Sequence, residues 1–301
     1  MLGYNNFMNE NDDNSESYLP VDPTVDVCFK FLLTEPEIRL NLVNDILKES
    51  NLPHIQSLEP TEGSIPKQRL LERGASLDFI AKDDNGQFVN IEMQQQFHGN
   101  FVERLFFHFS KIHISQFKYG VDYAKQRIGP TIIIVVTNFN VTKEPSLLNA
   151  YGLLHRKTFK PLKRDLVHLI FLELPKLKEL PPNPTAVEYW AAFYKNEKKF
   201  KRIFEENPMI KMAGEKVREF TRDNELVAAY EDHLKLLNDE KFKLDSTRRE
   251  GIEEGIELGI ENVALRLLDL GLPLDIIAKA SNLTIEEIEV LKNRNNSKLS
   301  H

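Results

Sequence analysis

Residues 76–94, SLDFIAKDDNGQFVNIEMQ, decide the fold. Asp84-Asn85-Gly86 is a turn signal with apolar residues on both sides, the strongest short-range mark of a β-hairpin. On the first strand Leu77, Phe79 and Ala81 alternate with Asp78, Ile80 and Lys82. On the second, Phe88 and Val89 lead into Ile91 and Met93, which alternate with Glu92 and Gln94. Successive strand side chains point to opposite faces, so Glu92 and Gln94 share one. Counted outward from the turn, Asp78 and Glu92 fall near the same height on adjacent strands.

Working outward, IQSLEPTE at 55–62 is a short additional strand. Upstream, Val27, Phe31 and Leu32 mark one helical face, and Leu40, Val43, Ile46 and Leu47 mark a second. Pro36 separates the two, because proline fits a helix's first turn but not its interior. Downstream, Phe101, Leu105, Phe109, Ile112, Phe117 and Val121 predict one long helix over 100–125. TIIIVVTNF (131–139) is an almost continuous β-branched run, the signature of a strand buried on both faces, and HLIFLELP (168–175) is a similar strand. Together these segments predict one α/β domain over 21–178, preceded by a disordered Asn-, Asp- and Ser-rich tail over 1–20.

The Pro-rich stretch at 180–184 is read as a boundary, with a helical region over 179–244 beyond it. Trp190, Phe193 and Tyr194 are expected core, and Lys195, Lys198, Lys199, Lys201 and Arg202 an expected basic helical face. A C-terminal helical tail spans 245–301. It carries the repeat REGIEEGIELGIE and then two short helices, the second opened by a Thr284/Glu287 capping box.

Composition narrows the function classes. The 301 residues carry 39 Lys and Arg against 46 Asp and Glu, a net charge of −7, so any nucleic-acid surface has to be a local patch. Cys28, the single cysteine, excludes an internal disulfide and a cysteine-built zinc site, and is expected in the core. No apolar run approaches the ~20 residues of a membrane span. The N-terminus has no basic and apolar leader pattern, so a cytoplasmic setting and no membrane partner are expected. Neither a phosphate-cradling P-loop nor a GxSxG elbow is present.

Asp78, Glu92 and Gln94 carry the chemistry. Two carboxylates converging among apolar residues repel each other and call for a cation, and hard oxygen ligands suit Mg²⁺ or Mn²⁺ better than zinc. Such an ion polarises a phosphate and activates water. Strand carboxylates also commonly line a solvated sheet face, and spacing alone leaves both readings open.

The hairpin resembles the core of the PD-(D/E)XK nuclease superfamily, and more narrowly the recombination-promoting nuclease/putative transposase family (Rpn). DPTVDVCFKFLL resembles that family's N-terminal helix. FVERLFFHFSKIHISQFKYGVDYAKQRIGPTIIIVVTNFNV resembles its following helix and strand, and the Trp190 segment and the EGIEEGIELGIE tail also fit. The resemblance covers roughly residues 20–290 and implies a restriction-endonuclease-like core with a mixed central sheet flanked by helices. It implies a metal-dependent endodeoxyribonuclease in which Asp78 and Glu92 bind the divalent ion. Gln94 stands where the superfamily label has lysine, as is typical of this family, and Leu77 where the label has proline. Asp22 and Asp26 are implied as further carboxylates near the metal, and Lys30 as a phosphate contact. Capping and surface charge account equally well for Asp22, Asp26 and Lys30. Arg104, Lys111 and Gln116 match polar positions of the family and are candidates for the DNA backbone, and ordinary solvated helix charge accounts for each at least as well.

Arg156, Lys157, Lys160, Lys163 and Arg164 form a basic run with no acid between them, the best local patch for DNA on an acidic chain. His98, His108 and His113 match no metal-ligand spacing. Gly251, Gly255 and Gly259 recur every four residues, which predicts a helix that self-associates into a homodimer. The leading expectation is therefore a DNA endonuclease. The alternative is a catalytically idle relative acting as a DNA- or protein-binding module.

Overall fold

The computed structural model describes residues 19–61, 79–84, 86–97, 99–117, 120–122, 126, 128–161 and 165–298. These fall into two compact units, one ending at Leu234 and one beginning at Lys235. The expected tail meets the described residues at Leu19 and Pro20. Leu19 is 1% exposed, and its N–H donates to Asn196 Oδ1 at 2.8 Å.

The first unit opens with α1 (Asp26–Thr34) and α2 (Pro36–Glu49). Pro36 occupies the first turn of α2, where its missing N–H costs nothing. Arg39 is buried at this corner. Its Nε donates to Leu58 O at 2.8 Å and its Nη1 to Leu33 O at 3.1 Å, tying both helices to the sheet.

Six strands follow: β1 (Leu58–Pro60), β2 (Phe79–Asp83), β3 (Phe88–Gln94), β4 (Thr131–Thr137), β5 (Leu148–Gly152) and β6 (Val167–Glu173). Their order in the sheet is β1-β2-β3-β4-β6-β5. The centre, β3-β4-β6, is parallel, and β1, β2 and β5 join antiparallel. All seven residues of β4 are buried, as its β-branched run requires. The hairpin expected at 76–94 is β2-β3, turning through Gly86 at φ +79°. Gly86 N–H donates to Asp83 O at 3.1 Å.

The two sheet faces have separate cores. Val89, Ile91, Ile132, Ile134, Ile170 and Leu172 face the larger one, with α1, α2 and the later helices α4 (Ala186–Lys195) and α5 (Pro208–Phe220). Ile133, Val135, Leu169 and Phe171 face the smaller one, covered by Phe101, Leu105 and Phe109 of α3 (Phe101–Ser115). Trp190, Phe193 and Tyr194 are buried as expected, and Trp190 Nε1 donates to Asp45 Oδ2 at 2.9 Å. The helix expected over 100–125 stops ten residues early. At its end Gln116 turns its amide to Thr131 Oγ1 and to Gly129 N–H, each at 2.9 Å. The expected basic face at 195–202 is largely neutralised: Lys195 and Lys199 pair with Glu197, and Arg202 pairs with Glu206.

Helix α6 (Asn224–Asp269) begins in the first unit and ends in the second. The second unit adds α7 (Leu274–Ser281) and α8 (Ile285–Lys298), with Ala264, Ile277, Ile288 and Leu291 as its core. Thr284 and Glu287 form the expected capping box, Glu287 N–H donating to Thr284 Oγ1 at 3.2 Å. Among the described residues no helix is long and apolar enough to cross a membrane.

Candidate active site

The site is set by the register of β3. Asn90, Glu92 and Gln94 pair with Ile133, Val135 and Thr137 of β4. Ile133 and Val135 belong to the α3-side core, so this polar triad points under α3 while Val89 and Ile91 point to the opposite core. A solvated sheet face does not account for Glu92, which is 6% exposed.

Its carboxylate is held by its own strand. Asn90 Nδ2 donates to Glu92 Oε1 at 2.6 Å, and Gln94 Nε2 donates to Oε2 at 3.3 Å. Helix α3 supplies the lid. Arg104 Nη2 donates to Gln94 Oε1 at 2.9 Å, and one turn on, His108 Nδ1 lies 3.7 Å from Glu92 Oε1. The i, i+4 spacing of Arg104 and His108 puts both on the helix face above the strand. The Gln94 amide is thereby oriented at both ends, its NH₂ toward the carboxylate and its oxygen toward a guanidinium.

Asn90 Oδ1 is buried and has no hydrogen-bond partner among the described residues. An unmet buried amide oxygen costs about 1–3 kcal/mol, a cost that a bound ion would offset. Beside a carboxylate, it completes a pair of hard oxygens on one strand face, the donor type a hard divalent cation takes. Among the described residues no group of three or more His, Cys, Asp or Glu stands ready to hold a metal. Asp78 lies outside the described residues, as do His98, Lys163 and Arg164. The described ladder between β2 and β3 runs up to Phe79↔Ile91, with Ile80↔Asn90 beside it.

The other expected residues have these settings. Asp22 Oδ1 accepts from Thr24 N–H and Thr24 Oγ1, and Thr24 Oγ1 in turn accepts from Gln95 Nε2 at 2.6 Å. That ties the N-terminal segment to the residue following β3. Asp26 pairs with Lys30 at 2.7 Å, and Lys30 is 7% exposed. Lys111 Nζ stands 5.2 Å from the centre of the Phe107 ring. Gln116 is engaged in the fold as described above. Arg156, Lys157 and Lys160 are exposed on the connection between β5 and β6. Sequence reading missed Asn90, although it sits two residues before Glu92 on the same face. It also set His108 aside, because metal spacing was the only role considered for it.

Comparison with known proteins decides the family. A family model for the PD-(D/E)XK nuclease family transposase matches residues 23–247, well over half of the chain. The chain belongs to that family. PD-(D/E)XK nucleases generally use divalent metals, and membership points to a nuclease and to DNA as its substrate. The mixed sheet with flanking helices is the fold that membership requires. No curated protein and no solved structure matches the chain.

Proposed function

We propose that this PD-(D/E)XK family member is a divalent-metal-dependent DNA endonuclease of the recombination-promoting type, which hydrolyses phosphodiester bonds. The observation that carries the reading is the polar cluster under α3, in which Asn90 and Glu92 are buried and Gln94, half-buried, is bonded to Arg104. Glu92 is held by amide donors, but the buried Asn90 oxygen beside it has none, a cost that a ligand using both oxygens would offset.

In this reading Asp78 and Glu92 hold Mg²⁺ or Mn²⁺, with Asn90 Oδ1 as a further oxygen. The register Phe79↔Ile91 and Ile80↔Asn90 is the one that the Asp78–Glu92 pairing needs. When bound, such an ion supplies Lewis-acid polarisation of a phosphate and lowers the pKa of a water. The protein's own groups do the rest. Asn90 fixes one carboxylate oxygen of Glu92, and Gln94 fixes the other. Gln94 brings no charge to the place where the superfamily has lysine, and Arg104, bonded to Gln94, supplies a cation there from the helix. Arg104 and Lys111 lie on one face of α3 and take DNA phosphates, with Gln116 holding the end of that helix. Asp22, Asp26 and Lys30 serve as outer groups, and Arg156, Lys157, Lys160, Lys163 and Arg164 as a backbone patch.

A second reading, an idle DNA- or protein-binding relative, draws support from the same carboxylate: Glu92 accepts two amide donors from its own strand. Plasmid cleavage with Mg²⁺, Mn²⁺, Ca²⁺ or EDTA separates the two. Wild-type protein should nick in Mg²⁺ or Mn²⁺ and not in EDTA. Asp78→Ala and Glu92→Ala should be folded and inactive, since each removes a metal oxygen. Folded Asp78→Ala that cuts like wild type would remove the site assignment, and a wild type that never cuts favours the idle relative. We further propose a homodimer formed through the C-terminal helices: Gly251, Gly255 and Gly259 face open space within the single chain, which leaves room for a second helix to approach.

A further inference from the structure

The connection between β5 and β6 carries a tight turn whose cations belong to the proposed backbone patch and whose aromatic residue the proposed function does not use. Leu154 and Pro161 form an antiparallel bridge. His155 N–H donates to Lys160 O at 2.9 Å, and Phe159 N–H donates to His155 O at 2.8 Å. Inside the turn, His155 Nδ1 accepts from Lys157 N–H at 3.3 Å and from Thr158 N–H at 3.2 Å. The imidazole thus stands in for the Asp or Asn that ordinarily caps such a turn.

On its returning side is Phe159, 73% exposed, with φ +53°. A left-handed backbone is ordinarily left to glycine or asparagine and is unfavourable for a bulky residue. The turn therefore carries two costs at one position: a disfavoured backbone and a large apolar ring in water. Neither serves packing, since residues 151–160 are all exposed. Strain held in place by surrounding hydrogen bonds points toward function. Arg156, Lys157 and Lys160 share the turn with Phe159, and no Asp or Glu occurs from Pro145 to Arg164 in a chain of net charge −7.

We propose that the His155–Lys160 turn is a DNA wedge: Arg156, Lys157 and Lys160 grip phosphates, and Phe159 stacks into a base step that is bulged or readily unstacked. Apolar wedges set among cations work in this way, inserting where unstacking is cheapest. Reach permits it. Gly152 pairs with His168, which pairs with Ile132, which pairs with Val89. Gly152 ends β5 and is therefore three strands across and three residues along from Glu92, and the base of the turn at Leu154 lies two residues further on. At ~4.8 Å per strand and ~3.3 Å per residue the base is about 22 Å from Glu92, shorter than the ~34 Å turn of a duplex. One DNA molecule can meet both. The wedge rests on the nuclease reading and adds the form of DNA selected, one with a weakened stack.

The test uses full-length protein in EDTA, so that no strand is cut, with labelled duplexes that are perfect or carry a single-base bulge flanked by 2-aminopurine. Wild type should bind the bulged duplex about 10-fold more tightly than the perfect one and raise the 2-aminopurine emission. Phe159→Ala should lose both the preference and the emission change while keeping the salt dependence of binding. Phe159→Trp should restore them. Arg156→Gln/Lys157→Gln/Lys160→Gln should weaken both duplexes alike and flatten the salt slope by about 2–3. The wedge is overturned if Phe159→Ala keeps the preference. It is also overturned if Phe159→Ala loses only binding to phosphatidylserine vesicles, which would make the turn a membrane contact. Wild type that binds and cuts DNA with no bulge preference sinks the wedge alone; wild type that binds no DNA sinks the nuclease reading as well.

Discussion

At the scale of single residues, Asn90 and Gln94 separate what the fold needs from what the site needs. Asn90 is 0% exposed and leaves its oxygen unmet. Asn90→Leu removes that oxygen but also the donor to the buried Glu92 carboxylate, and stranding a buried acceptor costs about 1–3 kcal/mol. The variant should therefore lose about 1–3 kcal/mol in urea unfolding and bind Mn²⁺ about 10-fold more weakly, as read by titration calorimetry. A large loss of stability with unchanged Mn²⁺ affinity would make Asn90 structural only. Gln94 acts by orientation rather than charge. Gln94→Ala should lower the nicking rate without abolishing it, and Gln94→Lys should retain activity, because lysine restores the superfamily's cation at that place. Nicking indifferent to Gln94→Ala would remove the residue from the site. Gln94 was legible in the sequence by its spacing from Glu92. Arg104 was expected only as a backbone contact, because a bond across ten residues from helix to strand has no local signature.

At the scale of elements, the centre of the sheet could be read and its edge could not. The β-branched run of β4 and the turn of β2-β3 declare themselves, whereas β5, LNAYG, holds only two apolar aliphatic residues beside Asn and Gly. It becomes a strand by pairing with β6 along five residues. The loop before it is pinned by Glu173, which is 0% exposed. Glu173 takes Lys176 Nζ at 2.7 Å, Thr142 Oγ1 at 2.7 Å and Val141 N–H at 2.7 Å. Burial pushes this carboxyl up, but the bonds from Lys176, Thr142 and Val141 together outweigh it and hold its pKa below the usual glutamate range. A depressed carboxyl contributes stability in full above its unfolded pKa and loses it as pH falls through the folded value. Glu173→Ala should cost about 3 kcal/mol at pH 7, since removing one partner of a buried pair strands the other. In urea titrations the gap between variant and wild type should close below about pH 4. A gap that stays constant down to pH 3 would show that the charge of Glu173 contributes nothing.

At the scale of the whole molecule, the C-terminal unit poses the question of assembly. Gly251, Gly255 and Gly259 give up about 3 kcal/mol of helix propensity relative to alanine. The neighbouring Ile252, Ile256 and Leu258 are more than half exposed. A second copy laid along this stripe would bury those side chains and offset the propensity loss, and two symmetry-related sites suit the two antiparallel strands of a duplex. Light scattering should give a dimer mass for the full-length chain and a monomer mass for a chain truncated after Leu244. Bulky replacement of Gly255 should also give the monomer. Equal masses for all three would make the tail an extension that binds some other partner.

By itself the sequence determined the hairpin, the doubly buried central strand, the proline break between α1 and α2, the aromatic core at 190–194 and the capping box at Thr284. Each of these is set by near neighbours: turn chemistry, period of hydrophobicity, and backbone groups that must be capped. Glu92 and Gln94 were visible for the same reason, two residues apart on one strand. Tertiary structure alone decided that their face lies under α3 rather than in water. It also decided that Asn90 faces the same cluster with an unmet oxygen, that Arg104 reaches Gln94, and that a weak segment becomes β5. Those outcomes depend on pairings between residues far apart in the chain, and a local pattern carries no record of what will be packed above it.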